Sequence, residues 1–354
     1  MLTETAVREV LDKIDDPELK KPLTDLDMIR SIDIQGGDVT VGVSLTVPGC
    51  PMKEKISRDI TTGVGALSGA ESVRVEFDVM TDEQRKNLRQ KLGFSDSAQA
   101  KGPAPVSYAK RFIAVSSGKG GVGKSTVTTN VAVAMAGLGY KVGLLDADVY
   151  GFSIPHMLGV EGRPTMIDDQ IIPLRKGDNI QVVSMGLFIS EDEPVVWRGP
   201  LLHKAINQFI RDVVWDELDY LFLDLPPGTG DVSLTIAQAI PSAEMLVVTT
   251  PQATATHVAG RVAKMAEKTD LRVLGVIENM AYFETNGERE YIFGRDGGKN
   301  LAKKLSVPFL GEIPLMTSLR EGSDSGKPVA SDGTPDQVKL FESIAQLIDG
   351  TAGR

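Results

Sequence analysis

Apolar positions recur in two rhythms along this chain, and where the rhythm changes the chain divides. Over residues 3–14, Val7, Val10, Leu11 and Ile14 return at helical spacing, which predicts an amphipathic helix. Ile32 to Ile34 and Val39 to Val47 predict two strands joined across Gly36-Gly37, and residues 52–67 predict a second helix. Val73-Arg74-Val75-Glu76-Phe77 alternates as a half-buried strand does, and 82–92 reads as a polar helix. Residues 1–93 therefore predict a small α+β domain. Residues 94–109 hold small residues, glycine and two prolines, the composition of a flexible linker.

From 110 to 354 the pattern is different. Short apolar runs suited to buried strands (Phe112 to Ser116, Val142 to Leu145, Tyr220 to Leu223, Met245 to Val248 and Val273 to Ile277) alternate with helical patterns. That alternation predicts an α/β domain, a mostly parallel sheet with helices on both faces. The last helical stretch, Phe341 to Gly350, carries an apolar stripe without a basic face, so it suits core packing rather than a membrane surface.

Between the first of these strands and the helix predicted at 124–138 lies Gly118-Lys119-Gly120-Gly121-Val122-Gly123-Lys124-Ser125, followed by Thr126. This fits the phosphate-binding P-loop, and strand, glycine loop and helix are its required context. Glycines let the loop curl and aim backbone N–H groups at phosphate oxygens. Lys124 places a cation near the β- and γ-phosphates, and the Ser125 hydroxyl can ligate Mg²⁺. The helix N-terminus adds partial positive charge beneath the phosphates. Lys119 is a second lysine that an ordinary P-loop does not need.

Asp146 and Asp148 follow the strand ending at Leu145, where carboxylates of a parallel sheet lie beside a bound nucleotide. They can hold Mg²⁺ or orient a water, or simply cap a turn. Asp224 ends the run Leu221-Phe222-Leu223 and is the natural Walker B carboxylate for Mg²⁺. The Pro- and Gly-rich segment 225–231 after it can sense the γ-phosphate. Asn279, just past the last strand, can read the adenine edge or cap a turn.

Composition narrows the function classes. A hydrophobic content of 42% with 24% charged residues is that of a globular protein. The net charge of −10 disfavours nucleic acid and anionic membranes as partners. No run of about 18 apolar residues is present. The early residues carry charges rather than an apolar core, and the one cysteine, Cys50, forms no intrachain disulfide, so a cytoplasmic protein is expected. Cys50 stands between Gly49 and Pro51, ahead of a predicted helix. It reads either as a thiolate suited to transient cluster binding or as a small buried residue. His156, His203 and His257 lack metal-ligand spacing.

Together these segments resemble the Mrp/ApbC group of iron–sulfur cluster carrier ATPases, within the MinD/ParA class of deviant P-loop NTPases. The resemblance is carried by the P-loop with Lys119, by 146–151 with Ser153-Ile154-Pro155, and by Trp197-Arg198-Gly199-Pro200. Asp224 to Asp231, Glu278-Asn279-Met280 and Gly311-Glu312-Ile313-Pro314 add to it. Asp16-Pro17-Glu18 and Thr46 to Pro51 are similar to the MIP18 (DUF59) family, associated with iron–sulfur assembly. The resemblance implies ATP hydrolysis with Mg²⁺ at a homodimer interface and transfer of clusters from assembly proteins to apo-acceptors. It implies that Lys119 reaches the opposite subunit's nucleotide. Lys124, Lys119 and Asp148 would carry catalysis, with Ser125, Asp146 and Asp224 around the metal.

Members of the group usually carry C-x-x-C soon after Glu-Asn-Met. Here Tyr282 to Glu288 has none. An iron–sulfur cluster ordinarily takes four thiolates, and a homodimer of this chain offers two, both Cys50. A cluster carrier is therefore expected to borrow other ligands. A MinD/ParA-like positioning ATPase and a metal-free, ATP-switched assembly factor are the alternatives.

Overall fold

A computed structural model describes residues 2–17, 21–45, 52–91, 107–149, 151–167, 170–188 and 199–351. The chain forms two compact units: Met1–Gly102 with Thr165–Ile172, and Pro103–Pro164 with Pro173–Arg354. Most of the predicted linker lies outside the described residues, as do Cys50, Trp197 and Arg198.

In the first unit, α1 (Glu4–Leu11) begins where the Thr3 hydroxyl accepts the Ala6 N–H. It is followed by β1 (Ile29–Gln35), β2 (Asp38–Leu45), α2 (Lys53–Gly65), β3 (Ser72–Val79) and α3 (Asp82–Lys91). The sheet order is β1-β2-β3, antiparallel then parallel. Val7 and Leu11 of α1 and Ile56, Ile60 and Val64 of α2 bury the apolar stripes that their spacing predicts.

The second unit starts with β4 (Ala109–Ser117), α4 (Lys124–Gly137), β5 (Val142–Asp146) and α5 (Ile154–Leu158). The antiparallel hairpin of β6 (Thr165–Ile167) and β7 (Gln170–Ile172) comes next. The sequence assigned this hairpin to the larger domain. It groups instead with the first unit, whose core includes the fully buried Ile167.

The chain continues through β8 (Leu174–Lys176), β9 (Ile180–Ser184), α6 (Gly199–Asp212), β10 (Leu218–Asp224), α7 (Asp231–Ala239), β11 (Glu244–Thr249), α8 (Ala253–Lys268) and β12 (Arg272–Asn279). A small ribbon, β13 (Phe283–Thr285) and β14 (Glu288–Glu290), precedes α9 (Gly297–Leu305) and β15 (Phe309–Ile313). The unit closes with α10 (Thr317–Ser325), α11 (Val329–Asp332) and α12 (Pro335–Asp349).

Eight strands form one sheet in the order β15-β12-β11-β4-β10-β5-β9-β8, parallel except for β8 at the edge. Strands buried on both faces read as continuous apolar runs, which is why β4, β5, β10, β11 and β12 were legible. The other three strands of the sheet, the short edge strand β8 with β9 and β15, lack that signal. In β9 the polar Gln181 is buried and accepts the Asp216 N–H, interrupting the apolar signal. Around β15, Pro308 and Gly311 (φ +150°) mask the strand.

The stripe of α12 is used internally: Phe341, Ile344, Ala345 and Ile348 are buried in the core. Among the described residues, no helix is long and apolar enough to cross a membrane. The end of α12 is held by Arg111 of β4. Its guanidinium donates to Glu244 Oε2 at 2.6 and 2.8 Å and to the Ile348 carbonyl at 2.9 Å. Pairing satisfies a largely buried charge and an unused helix carbonyl together. Arg111→Met should lower the unfolding free energy by about 2 kcal/mol, because Glu244 keeps Arg272 as its partner. Urea denaturation followed by circular dichroism checks this; an unchanged midpoint would contradict it.

Candidate functional site

The site lies at the carboxyl ends of β4, β5 and β10, the central strands of the sheet. The loop from β4 into α4 curls because Gly121 (φ +79°) and Gly123 (φ +78°) take left-handed backbone conformations. Gly118 serves a different purpose. A Cβ there would lie 2.3 Å from the Ala259 nitrogen, so its absence lets the loop press against the backbone of α8. At Gly120 the space is open.

The loop frames a cleft of about 230 Å³ that includes Lys119, Lys124, Ser125, Thr126, Asp148 and Pro227 in its wall. Asp224 lies under its floor, fully buried. One of its oxygens accepts from Lys124 Nζ and from Ser125 Oγ, each at 2.6 Å. The other lies 2.8 Å from Thr128 Oγ1. Residues 124, 125 and 128 are neighbours on one face of α4, so a single carboxylate gathers the first turn of the helix. Asp148 Oδ2 stands 3.8 Å from Lys124 Nζ at the cleft edge.

Asp146 is placed differently from the expectation that it joins a Mg²⁺ shell. It is fully buried and lies outside the cleft wall. Its carboxylate accepts the N–H groups of Asp148, Ser153 and Ile154 at 3.0–3.2 Å and the Ser184 hydroxyl at 3.2 Å. Burial first, then the charge of Asp224, push its carboxyl well above the usual carboxylate range; the Ile154 N–H and Lys124 oppose them. Its work is to shape the loop that presents Asp148 and Ser153.

Asn279 is likewise buried rather than open to an adenine ring. Its amide donates to the Val122 carbonyl at 2.8 Å and holds the P-loop in place. A Cβ at Gly123 would strike that amide at 2.2 Å, so the glycine and the asparagine are fitted to each other. Its Oδ1 is buried without a partner among the described residues.

Lys119 reaches along the cleft rim, and its Nζ donates to Gln252 Oε1 at 2.8 Å. Sequence reasoning missed Gln252 and Thr128. Gln252 lies far along the chain before α8, and Thr128 has the pattern of an ordinary helix residue. The segment after β10 is tied back by the Gly228 N–H to the Ser117 carbonyl at 2.8 Å. Of the histidines, His203 pairs with Thr235 at 2.8 Å. No group of three or more His, Cys, Asp or Glu is arranged to hold a metal among the described residues.

The cysteine-free segment after Met280 is the β13–β14 ribbon. Asn286 (φ +54°) and Gly287 (φ +82°) make its two-residue turn. Arg289 lies 4.1 Å from the centre of the Tyr282 ring and braces its base.

A glycine loop under a helix N-terminus, with a lysine and a hydroxyl converging on one buried aspartate, is built to bind phosphates. Residues 108–349 match the family described as NUBPL iron-transfer P-loop NTPase. The chain belongs to this family. Residues 4–77 match the family described as iron-sulfur cluster assembly protein. The chain is 44% identical to the iron-sulfur cluster carrier protein of Mycobacterium leprae, over 99% of this chain and 93% of that one.

Solved structures agree on the fold of the larger unit. The nucleotide-binding protein of Archaeoglobus fulgidus, in complex with ADP, is 41% identical, with a TM-score of 0.57 over 66% of this chain and 93% of that one. The cell division ATPase MinD of Pyrococcus furiosus is 25% identical, with a TM-score of 0.52 over 69% of this chain and 100% of that one.

The contrast among the loop glycines is testable. Gly118→Ala should cost about 1–3 kcal/mol of stability, because backbone faces the new methyl, and should weaken ADP binding. Gly120→Ala should leave the melting temperature unchanged. Thermal melts and ADP titration compare them, and equal behaviour of the two variants would refute the packing argument.

Proposed function

We propose that this protein is an ATP-hydrolysing carrier that binds iron–sulfur clusters and passes them to acceptor apoproteins, working as a homodimer in the cytoplasm. The convergence of Lys124 and Ser125 on Asp224 beneath the glycine loop carries the ATPase half of this reading. The carrier half is supported by the family of the larger unit, by the second family matched at residues 4–77 and by the name of the Mycobacterium leprae relative. One cysteine in the whole sequence suits a reducing compartment.

In this mechanism the P-loop N–H groups and the α4 N-terminus bind the phosphates. Lys124 moves from Asp224 onto the β- and γ-phosphates. Asp148, at the cleft edge, accepts a hydrogen bond from the attacking water and orients it. Asp146 keeps that loop in register. Lys119 contributes its charge across the dimer to the partner's nucleotide. Catalysis is then positioning plus electrostatic stabilisation.

The donor set also fits Mg²⁺. The carboxylates of Asp148 and Asp224 outnumber the single ammonium of Lys124, leaving excess negative charge beside hard oxygen donors. Ser125 would hold the ion with Asp224 behind it, and the ion would neutralise charge on the β- and γ-oxygens. Asn279 acts from beneath the loop, and a role at the adenine edge requires its buried Oδ1 to become exposed.

The cluster is cargo, and Cys50 is its proposed ligand in this chain. A homodimer supplies two thiolates, so the remaining ligands come from assembly or acceptor proteins or from small thiols. The cysteine-free ribbon favours a second reading as an ATP-switched assembly factor whose partners hold the cluster throughout.

Lys124→Ala should abolish hydrolysis and weaken ADP binding. Lys119→Ala should reduce kcat by about tenfold or more with ADP affinity nearly kept. Equal loss of both in the Lys119 variant would count against action across a dimer. Anaerobic reconstitution of wild type and Cys50→Ser, with iron and sulfide analysis and transfer to an apo-acceptor, tests the carrier reading. A labile cluster in wild type that Cys50→Ser cannot hold is expected. Absence of iron from both, with hydrolysis intact, would favour the assembly-factor reading.

A further inference from the structure

Lys124 and Lys119 are held in opposite ways. Lys124 is buried and ion-paired to Asp224 at 2.6 Å. Lys119 is half-buried, and among the described residues its ammonium meets only the neutral amide oxygen of Gln252, at 2.8 Å. A neutral acceptor fixes direction without cancelling charge, so an arriving phosphate outcompetes it. A carboxylate in the same place would bind the ammonium far more strongly.

The acceptor itself stands on rigid backbone. The Gln252 carbonyl accepts the N–H groups of Ala255 and Thr256 at 2.9 and 3.0 Å, starting α8. Pro251 before it is pressed by Gly297, where a Cβ would lie 2.3 Å from the Pro251 carbonyl oxygen. Further along α8, Val258 and Ala259 meet the backbone of Gly118, one residue before Lys119. The Lys119 backbone is fixed in turn, since its carbonyl accepts from Ser117 Oγ at 3.1 Å. Both ends of the contact are therefore anchored, and only the two side chains are free to part.

We infer that Gln252 is a positioning residue: it parks Lys119 at the rim of the cleft in a releasable orientation, and its neutrality sets how readily the lysine transfers to phosphate. The inference rests on the reading of Lys119 as the residue that supplies charge to a nucleotide. It predicts opposite signs for two substitutions at one position. Gln252→Glu converts the contact to an ion pair and should retain the lysine. Gln252→Ala removes the acceptor and should release it.

The test measures ATP hydrolysis and ADP affinity by titration calorimetry for both variants of the full chain, alone and with Lys119→Ala. Gln252→Glu should lower kcat by about tenfold while changing the ADP dissociation constant by less than about threefold. Gln252→Ala should keep kcat at or above the wild-type value. In the Lys119→Ala background Gln252→Glu should have no further effect on kcat, because nothing remains to be held.

A merely structural role for Gln252 would lower kcat in both single variants, and that result overturns the inference. So does an unchanged Gln252→Glu, or the same fold-loss with Lys119 absent. If Gln252→Glu does not fold, a fall of kcat in a folded Gln252→Ala still refutes the proposal, and a maintained or raised kcat supports it. If Lys119→Ala alone leaves hydrolysis untouched, the reading of Lys119 fails first, which separates the two failures.

Discussion

A buried carboxylate has to be satisfied, and in this protein Asp224 is satisfied by the first turn of the helix that follows the P-loop. Lys124, Ser125 and Thr128 all reach it from α4. An unpaired charge at that depth would cost several kcal/mol, so the helix start, the loop before it and the strand end beneath it are fixed together. The loop can then present its N–H groups outward because the side chains of the helix are already held from below. The same pairing holds the Lys124 ammonium down against the strand end.

Around that centre the site is organised by polar groups that do not touch the cleft. Asp146 spends its oxygens on backbone N–H groups of the 148–154 loop, and Asn279 holds the Val122 carbonyl. Each converts a flexible connection into one arrangement, which phosphoryl transfer requires of its surroundings. The close approaches at Gly118 and Gly123 belong to the same design, since a methyl at either position meets backbone or the Asn279 amide.

The ribbon after Met280 is closed by an Asn-Gly turn and braced by an arginine on a tyrosine ring, with no thiolate in it. With Cys50 as its single cysteine, the chain by itself does not supply the four thiolates that an iron–sulfur cluster ordinarily takes.

The sequence by itself determined the mostly parallel sheet, the P-loop and the small α+β unit ahead of them. Those features are local: apolar runs for buried strands, glycine spacing for the loop, and helical periodicity for α1, α2 and α12. It assigned Lys124, Ser125 and Asp224 to one site because strand order in such sheets brings their positions together. The tertiary structure alone decided what each acid and amide does once there. Asp146 and Asn279 stand at strand ends, yet both are buried and hydrogen-bond the backbone of the loops beside them. Gln252, 133 residues from Lys119, and the hairpin 165–172 that joins the first unit's core carry no local signal at all. Their partners are set by which backbones pack, and packing between segments distant along the chain leaves no period in the sequence to read.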